Sequence, residues 1–171
     1  MRTNPRGFTL VELLIVLAII VVLAALAIPN LLRSQVAANQ ASAITSLRTI
    51  STAETSYATT YDTGYSPNLG CLGPPAAGQS PTATAAGLID SLLAGSSRGN
   101  ATATLSVKTG YQFTYTPEAT DTTGRIPGYA VYASPLDPGR TGTLYYYTDN
   151  TGVIRQNGTL TAGSADSQVP D

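Results

Sequence analysis

Glu12 is the one charged residue in an apolar run that extends from Phe8 to Ile28, and Thr9 is the only other polar residue there. A carboxylate within a membrane-spanning helix costs free energy, and such a residue is usually retained because it has a partner. No Lys or Arg lies inside the run. The pattern therefore indicates charge pairing with a cation from outside the run.

Gly7 suggests a source for that cation, because it is a small, flexible residue immediately before the run. Cutting the chain after Gly7 would expose a new α-amine on Phe8, at position i−4 from Glu12. On a helix such positions share a face, and a carboxylate in the first turns also meets the positive end of the helix dipole. Three partners for Glu12 stay open: the amine of its own chain, the helix end, and the amine of a neighbouring copy.

Other residues offer little for catalysis or metal binding. The chain has no His, which removes the usual general base and the commonest zinc ligand, and a Ser or Asp nucleophile has no visible activating partner. Asp149 and Asn150 are candidate calcium ligands, but their surroundings lack the density of oxygen donors that calcium requires. Asp137 is expected to form a turn. We therefore expect no enzymatic activity, no cofactor and no metal.

Composition limits the class of protein further. The 171 residues correspond to about one domain. Charged residues make up 11% of the chain and the net charge is −1, so no basic surface for nucleic acid is expected. The single Cys71 cannot form a disulfide within the chain and is expected to be a free thiol or a small buried apolar group.

The apolar run is long enough to cross a bilayer, because about 20 residues of helix span a hydrocarbon core about 30 Å thick. Arg2 and Arg6 precede it, which predicts an N-in, C-out orientation. One alternative is a secretory signal peptide cut near Ala25-Leu26-Ala27, although the run is longer than the core of such peptides. Another is a plain membrane anchor, which leaves Glu12 unexplained.

The helix is expected to continue past the apolar run. Pro29 removes a backbone hydrogen bond and predicts a kink there. Beyond it, apolar residues recur at steps of three and four, or at multiples of these, which is typical of an amphipathic helix. The main positions of this stripe are Leu32, Val36, Ile44, Leu47, Ile50, Tyr57 and Tyr61. We therefore predict one long helix from about Phe8 to Tyr61.

The residues that follow the long helix predict a small sheet. A Gly- and Pro-rich loop follows the helix, and "GLIDSLLAG" predicts a minor helix. The segments "GYQFTYTP", "GYAVYASP" and "TLYYYTD" predict strands, and "DNTG" before "VIRQNG" predicts a hairpin turn. An antiparallel sheet of three or four strands should cover the apolar stripe. The many Tyr residues are expected to pack in this sheet, with adhesion as the alternative.

The stretch "RGFTLVELLIVLAIIVVLAALAIPNLL" resembles the prepilin signature that type IV pilins share with the pseudopilins of type II secretion. The resemblance implies that a prepilin peptidase cuts between Gly7 and Phe8 and N-methylates Phe8. Glu12 then matches the glutamate that neutralises the terminal amine of an adjacent subunit, and Pro29 matches a proline where the helix bends. The head segments are similar to those of bacterial pilin-like proteins, less specifically.

On this resemblance the predicted fold class is α+β and pilin-like, with a long N-terminal helix packed on a small antiparallel head. The predicted divisions are a leader (1–7), a transmembrane or filament-core helix (8–29), an amphipathic helix of the head (30–61), a globular head (62–157) and a flexible tail (158–171).

The function implied is that of a structural subunit of a helical type IV pilus, assembled through its N-terminal helix. Alternatives are a type II secretion pseudopilin that acts in protein export, and a membrane-anchored or secreted adhesive module. The implied partners are further copies of the chain, the prepilin peptidase, the pilus or secretion platform proteins and the inner membrane. The expected location is the inner membrane as a single-pass precursor, then an extracellular or periplasmic filament.

Overall fold

The computed structural model describes residues 8–95, 104–159 and 161–170, so the predicted leader, with Gly7, lies outside the described residues. The chain divides into two compact units, Met1–Gln35 and Val36–Asp171. The elements in chain order are helices α1 (Leu10–Tyr61) and α2 (Leu69–Leu72) and strands β1 (Leu105–Lys108), β2 (Tyr111–Pro117), β3 (Tyr129–Pro135), β4 (Tyr145–Asp149), β5 (Arg155–Asn157) and β6 (Ser167–Gln168). The predicted α+β, pilin-like class is confirmed.

The first unit contains the apolar part of α1. Its large apolar side chains are exposed, from Phe8 to Leu32. Within the described residues, α1 is the one helix with the length and composition needed to cross a bilayer. Helical structure is continuous through Pro29, and the side chain of Asn30 donates to the carbonyl of Leu26 at 3.2 Å. The predicted kink at Pro29 stays a prediction.

In the second unit, the later part of α1 shares one core with the sheet. Leu47, Ile50 and Tyr57 are buried as the amphipathic pattern predicted, and Ile44 and Tyr61 are partly buried. The spacing of three and four residues places these side chains on one face of the helix. The opposite face carries Thr and Ser residues, many of which donate their hydroxyl to the carbonyl four residues earlier.

The sheet is an antiparallel meander in which all six strands follow chain order. On β2, Tyr111, Phe113 and Tyr115 are buried while Gln112 and Thr114 are partly exposed, as the alternation predicted. The predicted hairpin is confirmed between β4 and β5. At its turn the N–H of Gly152 donates to the carbonyl of Asp149 at 2.9 Å, and Gly152 has φ of 73°.

The prediction of three or four strands was too low. Strands β1 and β6 have four and two residues, too short to show an alternating pattern, and they form by pairing with β2 and β5 at the sheet edges. Strand β6 lies within 158–171, where a flexible tail was predicted, and Ala162 in that segment is buried. The flexibility of the tail and the domain limits stay predictions.

The minor helix predicted in "GLIDSLLAG" does not form. The carboxylate of Asp90 accepts from the N–H groups of Leu92 and Leu93, the N–H of Ala94 donates to the carbonyl of Asp90, and the chain leaves this single turn at Gly95 with φ of 79°. A helix forms instead at Leu69–Leu72, which the sequence analysis assigned to a loop. Asn68 caps it by accepting from the N–H of Cys71.

Candidate functional site

Glu12 lies in the first turn of α1, where it forms a reciprocal hydrogen-bonded pair with Thr9. Its carboxylate oxygen Oε2 accepts from the backbone N–H of Thr9 at 2.9 Å and from the Thr9 hydroxyl at 2.6 Å. The N–H of Glu12 in turn donates to Thr9 Oγ1 at 3.2 Å. This is a capping box, with Thr9 as the N-cap residue and Glu12 three positions later.

The capping box supplies a role for Glu12 that the sequence analysis missed. The signal is Thr9-x-x-Glu12 immediately before an apolar run, which marks a helix N-terminus. The first four N–H groups of a helix lack partners within the helix, and a carboxylate placed there also meets the positive end of the dipole. Within a single chain, the helix end therefore already stabilises part of the negative charge of Glu12.

The start of the helix corrects one geometric expectation. Because Thr9 is the cap, α1 begins at Leu10, and Phe8 precedes the helix with 79% of its surface exposed. Phe8 and Glu12 therefore do not share a helix face. Both capping bonds end on Oε2, and within the described part of the chain Oε1 accepts no hydrogen bond. That second oxygen remains accessible to a cation.

Beyond Glu12 the surface of this segment is apolar on every side. Leu10, Leu14, Leu17 and Val21 are all about half exposed or more, and none of the 18-residue apolar window is buried. An exposed apolar surface of this extent on a helix fits a bilayer or the helices of other chains. The described residues thus provide an association surface with one charge at its end.

Asp149 and Asp137, the candidate residues of the head, form hydrogen bonds with neighbouring residues of the chain. Asp149 Oδ1 accepts from the N–H and hydroxyl of Thr151, and its Oδ2 accepts from the hydroxyl of Tyr147 at 3.2 Å. The carbonyl of Asp137 accepts from the N–H groups of Arg140 and Thr141 in a turn. Across 8–95, 104–159 and 161–170 there is no cluster of three His, Cys, Asp or Glu residues suited to a metal.

Cys71 is buried and forms no disulfide, and its burial raises the pKa of the thiol. A raised pKa lowers the thiolate fraction at neutral pH, which disfavours a nucleophilic or redox role.

Comparison with known proteins assigns the N-terminal segment. Residues 2–28 match the family described as the prokaryotic N-terminal methylation motif, and this range includes Gly7, Phe8 and Glu12. The N-terminal segment of this chain thus carries the methylation motif. Two relatives are similar to part of this chain: the type IV major pilin protein PilA of Myxococcus xanthus and the type IV wide pilus major component PilA4 of Thermus thermophilus.

The similarity to both relatives covers a third of this chain or less. Identity to the Myxococcus protein is 52% over 58 residues, which cover 33% of this chain and 26% of that protein. Identity to the Thermus protein is 64% over 36 residues, which cover 21% of this chain and 28% of that protein. The match thus spans little more than a quarter of either relative. No solved structure matches the chain.

Proposed function

We propose that this chain is a structural subunit of a type IV pilus, processed at its N-terminus and assembled through the apolar part of α1. The observation that carries the proposal is the exposed apolar first part of α1, which is long enough to span a membrane. Its one charged residue is Glu12, which lies in the first turn of the helix and within the methylation motif. A plain anchor would not need that charge. A cleaved signal peptide would discard the helix on which the motif lies.

Processing prepares the segment for assembly. A prepilin peptidase cuts between Gly7 and Phe8, removing Arg2 and Arg6, and methylates the new amine of Phe8. Seven basic residues then remain against ten acidic ones. Before the cut, Arg2 and Arg6 favour an N-in orientation in the inner membrane. The cut therefore removes the charges that hold the N-terminus on the cytoplasmic side.

Association of the helices supplies the cohesion of the filament. In lipid, helices associate through close packing and interhelical hydrogen bonds, and in a filament core the same apolar side chains are shielded from water. The exposed surface from Leu10 to Ile28 is the part of α1 suited to both environments. The head, with its own core, faces outward in this arrangement.

Charge pairing sets the register between subunits. Thr9 occupies Oε2 of Glu12, which leaves Oε1 available to a partner outside the helix turn. The Phe8 amine of an adjacent subunit is the cation that fits, because two charges that are each costly in a low-dielectric core attract strongly when paired. A subunit placed out of register would leave both charges unpaired.

The proposal is tested in cells that lack the chromosomal gene and carry either the parent chain or Glu12→Gln. We expect normal cleavage but loss of most surface filaments with Glu12→Gln, measured by electron microscopy and by shearing filaments from the cells. Glu118→Gln is the matched control, because it removes the same charge from an exposed position in the head. Filaments at parental levels with Glu12→Gln would contradict the pairing.

Mass spectrometry of the mature protein separates the alternatives. Methylated phenylalanine at position 8 supports processing as a prepilin, whereas an N-terminus near Ile28 supports a secreted adhesive module. Loss of exported proteins, with no loss of surface filaments or twitching, in cells lacking the gene would support the pseudopilin alternative. Assembly would also require platform and motor proteins, because the chain contains no nucleotide-binding motif.

A further inference from the structure

Glu54 is a carboxyl group fully buried in the core of the head, with 0% of its surface exposed. It lies on α1 and contacts the loop that leads to α2. Oε1 lies 2.6 Å from the hydroxyl oxygen of Ser66, and Oε2 accepts from the N–H of Ser66 at 2.8 Å. These contacts connect the last turns of α1 to a residue twelve positions later.

The hydrogen bonds continue from Ser66 to the sheet. Ser66 Oγ also lies 3.0 Å from the carbonyl oxygen of Asn68, and the hydroxyl of Tyr115 on β2 donates to the carbonyl of Ser66 at 2.7 Å. Ser66 itself is fully buried. Glu54, Ser66, Asn68 and Tyr115 are referred to below as the Glu54 network.

Among the residues that the structure describes, no positive charge balances Glu54. Within the described ranges, no Lys or Arg forms an ion pair with it. The titratable groups that act on it are Tyr57 on α1, Cys71 on α2, Tyr115 on β2 and Tyr129 on β3. Each of these groups is neutral or becomes negative on losing a proton. An ionised Glu54 would therefore be a buried charge without a counterion, which is strongly unfavourable.

Counting protons in the Glu54 network gives an independent argument. Ser66 has one hydroxyl proton, but its oxygen lies within hydrogen-bond distance of both Glu54 Oε1 and the carbonyl of Asn68. If Glu54 were ionised, Ser66 would donate to the carboxylate, and the contact to Asn68 would bring two acceptors together with no proton between them. If Glu54 is protonated, Glu54 donates to Ser66 and Ser66 donates to Asn68. The contacts of Ser66 Oγ with Glu54 and with Asn68 then each contain one proton. The longer approach of Ser66 Oγ to the Tyr115 hydroxyl, 3.3 Å, contains none in either state, because Tyr115 donates to the carbonyl of Ser66.

We propose that Glu54 is a neutral carboxylic acid in the folded head at neutral pH, and that its proton attaches the Ser66–Asn68 loop to α1. Ionisation of Glu54 at higher pH reverses its hydrogen bond with Ser66, so that Ser66 no longer donates to Asn68, and leaves an unbalanced charge in the core. Both effects weaken the packing of α1, this loop and β2. The head thus contains a pH-sensitive contact that is independent of the N-terminal segment and of pilus assembly.

Burial supports this assignment, because desolvation raises the pKa of Glu54 above its ordinary value of 4.5, although the two hydrogen bonds from Ser66 and the Tyr115 hydroxyl act in the opposite direction. In the unfolded chain Glu54 ionises at its ordinary pKa, while the folded head retains the proton to higher pH. Between these two values the folded state binds more protons than the unfolded state. Stability therefore decreases as pH rises from about 4.5 towards the folded pKa.

Carbon-13 NMR of the side-chain carboxyl groups tests the proposal directly. The chain contains three glutamates, Glu12, Glu54 and Glu118, so a glutamate-labelled full-length protein in detergent gives three carboxyl signals. Glu12→Gln and Glu118→Gln identify two signals by their loss, and the third belongs to Glu54 even if Glu54→Gln does not fold. We expect this third signal at the position of a protonated acid at pH 7. A carboxylate position at pH 7 would overturn the proposal.

Thermal unfolding of Glu54→Gln gives a second measurement. An amide can donate to Ser66 and accept from its N–H as the protonated acid does, but it does not titrate. We expect the melting temperature of the parent to fall relative to Glu54→Gln by about 3–5 °C per pH unit above the ordinary pKa. Glu118→Gln should follow the parent at every pH. A constant difference between Glu54→Gln and the parent across this range would also contradict the proposal.

Discussion

At the scale of single residues, the two buried or membrane-directed carboxyl groups of this chain are satisfied in different ways. Glu12 has the N–H and hydroxyl of Thr9 on one oxygen and leaves the other available. The hydrogen bonds of Glu54 are made within the head, and among the described residues no Lys or Arg forms an ion pair with it. A charge at a helix N-terminus is stabilised by the helix itself, whereas a carboxyl in an apolar core is stabilised by keeping its proton.

Thr9 provides a prediction at this scale. Thr9→Val preserves the shape of the side chain but removes the hydroxyl that accepts from the N–H of Glu12 and donates to its carboxylate. Loss of an N-cap hydroxyl costs about 1 kcal/mol of helix stability. We expect backbone amides in the first turn of α1 to exchange with solvent several-fold faster, measured by hydrogen exchange of the protein in detergent.

Thr9→Ser is the control for that experiment, because serine retains the hydroxyl and is a preferred N-cap residue. It should exchange like the parent. Equal exchange rates in Thr9→Val and Thr9→Ser would show that the hydroxyl does not cap the helix.

At the scale of elements, the two parts of α1 have different patterns of side chains. Its first part is apolar around its circumference and exposed, while its later part buries one face against the sheet. The β3–β4 loop also contacts α1. There the side chain of Asn39 donates to the carbonyl of Thr141 at 2.9 Å, and Gln40 donates to the hydroxyl of Thr143 at 2.8 Å.

Gly142 in this loop gives a prediction at the element scale. A Cβ at this position would overlap the ring and hydroxyl of Tyr111, which is fully buried and donates to the carbonyl of Leu144. Because the ring has little room to move in the core, Gly142→Ala should destabilise the head by about 1–3 kcal/mol. The measurement is the urea midpoint of the full-length protein in detergent.

Gly163→Ala is the matched control, since a Cβ there meets no atom within 4 Å. Its midpoint should stay within experimental error of the parent. If both glycine variants had the same midpoint, the close approach of Gly142 to Tyr111 would not be a constraint on the fold.

At the scale of the whole molecule, the division after Gln35 separates a unit whose apolar side chains are exposed from a unit with a buried core. The second unit contains the entire described core, including the later part of α1, and buries tyrosines from helix and sheet together. The first unit has no core of its own within the described residues, because its apolar side chains are exposed. An exposed apolar surface of this extent fits lipid or the helices of other chains.

A chain that starts at Val36 should therefore fold without a membrane. We expect it to remain monomeric in aqueous buffer and to unfold cooperatively, measured by size-exclusion chromatography and circular dichroism. The full-length chain, expressed in parallel, should partition into the membrane fraction. An aggregated or non-cooperative product from the shorter chain would mean that the head depends on the first unit for its stability.

The prediction of the strands shows what local pattern can and cannot determine. Strand β2 was predictable because Tyr111, Phe113 and Tyr115 alternate with polar residues over a full strand length. Strand β1 has no such alternation in four residues and exists because Ser106 and its neighbours pair with β2. In "GLIDSLLAG", Asp90 caps a turn that begins only after it, and the chain leaves this turn at Gly95, so the segment is too short for a helix.

The sequence by itself determined the long helix, its apolar first part, the position of the one charge in it, and the main strands. These features depend on periodicity, composition and turn residues, which act over a few neighbouring positions. Only the tertiary structure decided that Glu54 is enclosed without a cation from the described residues, that Gly142 lies against Tyr111, and that short edge strands extend the sheet. The reason is that each of these depends on residues far apart in the chain, which the folding of α1 onto the sheet brings into contact.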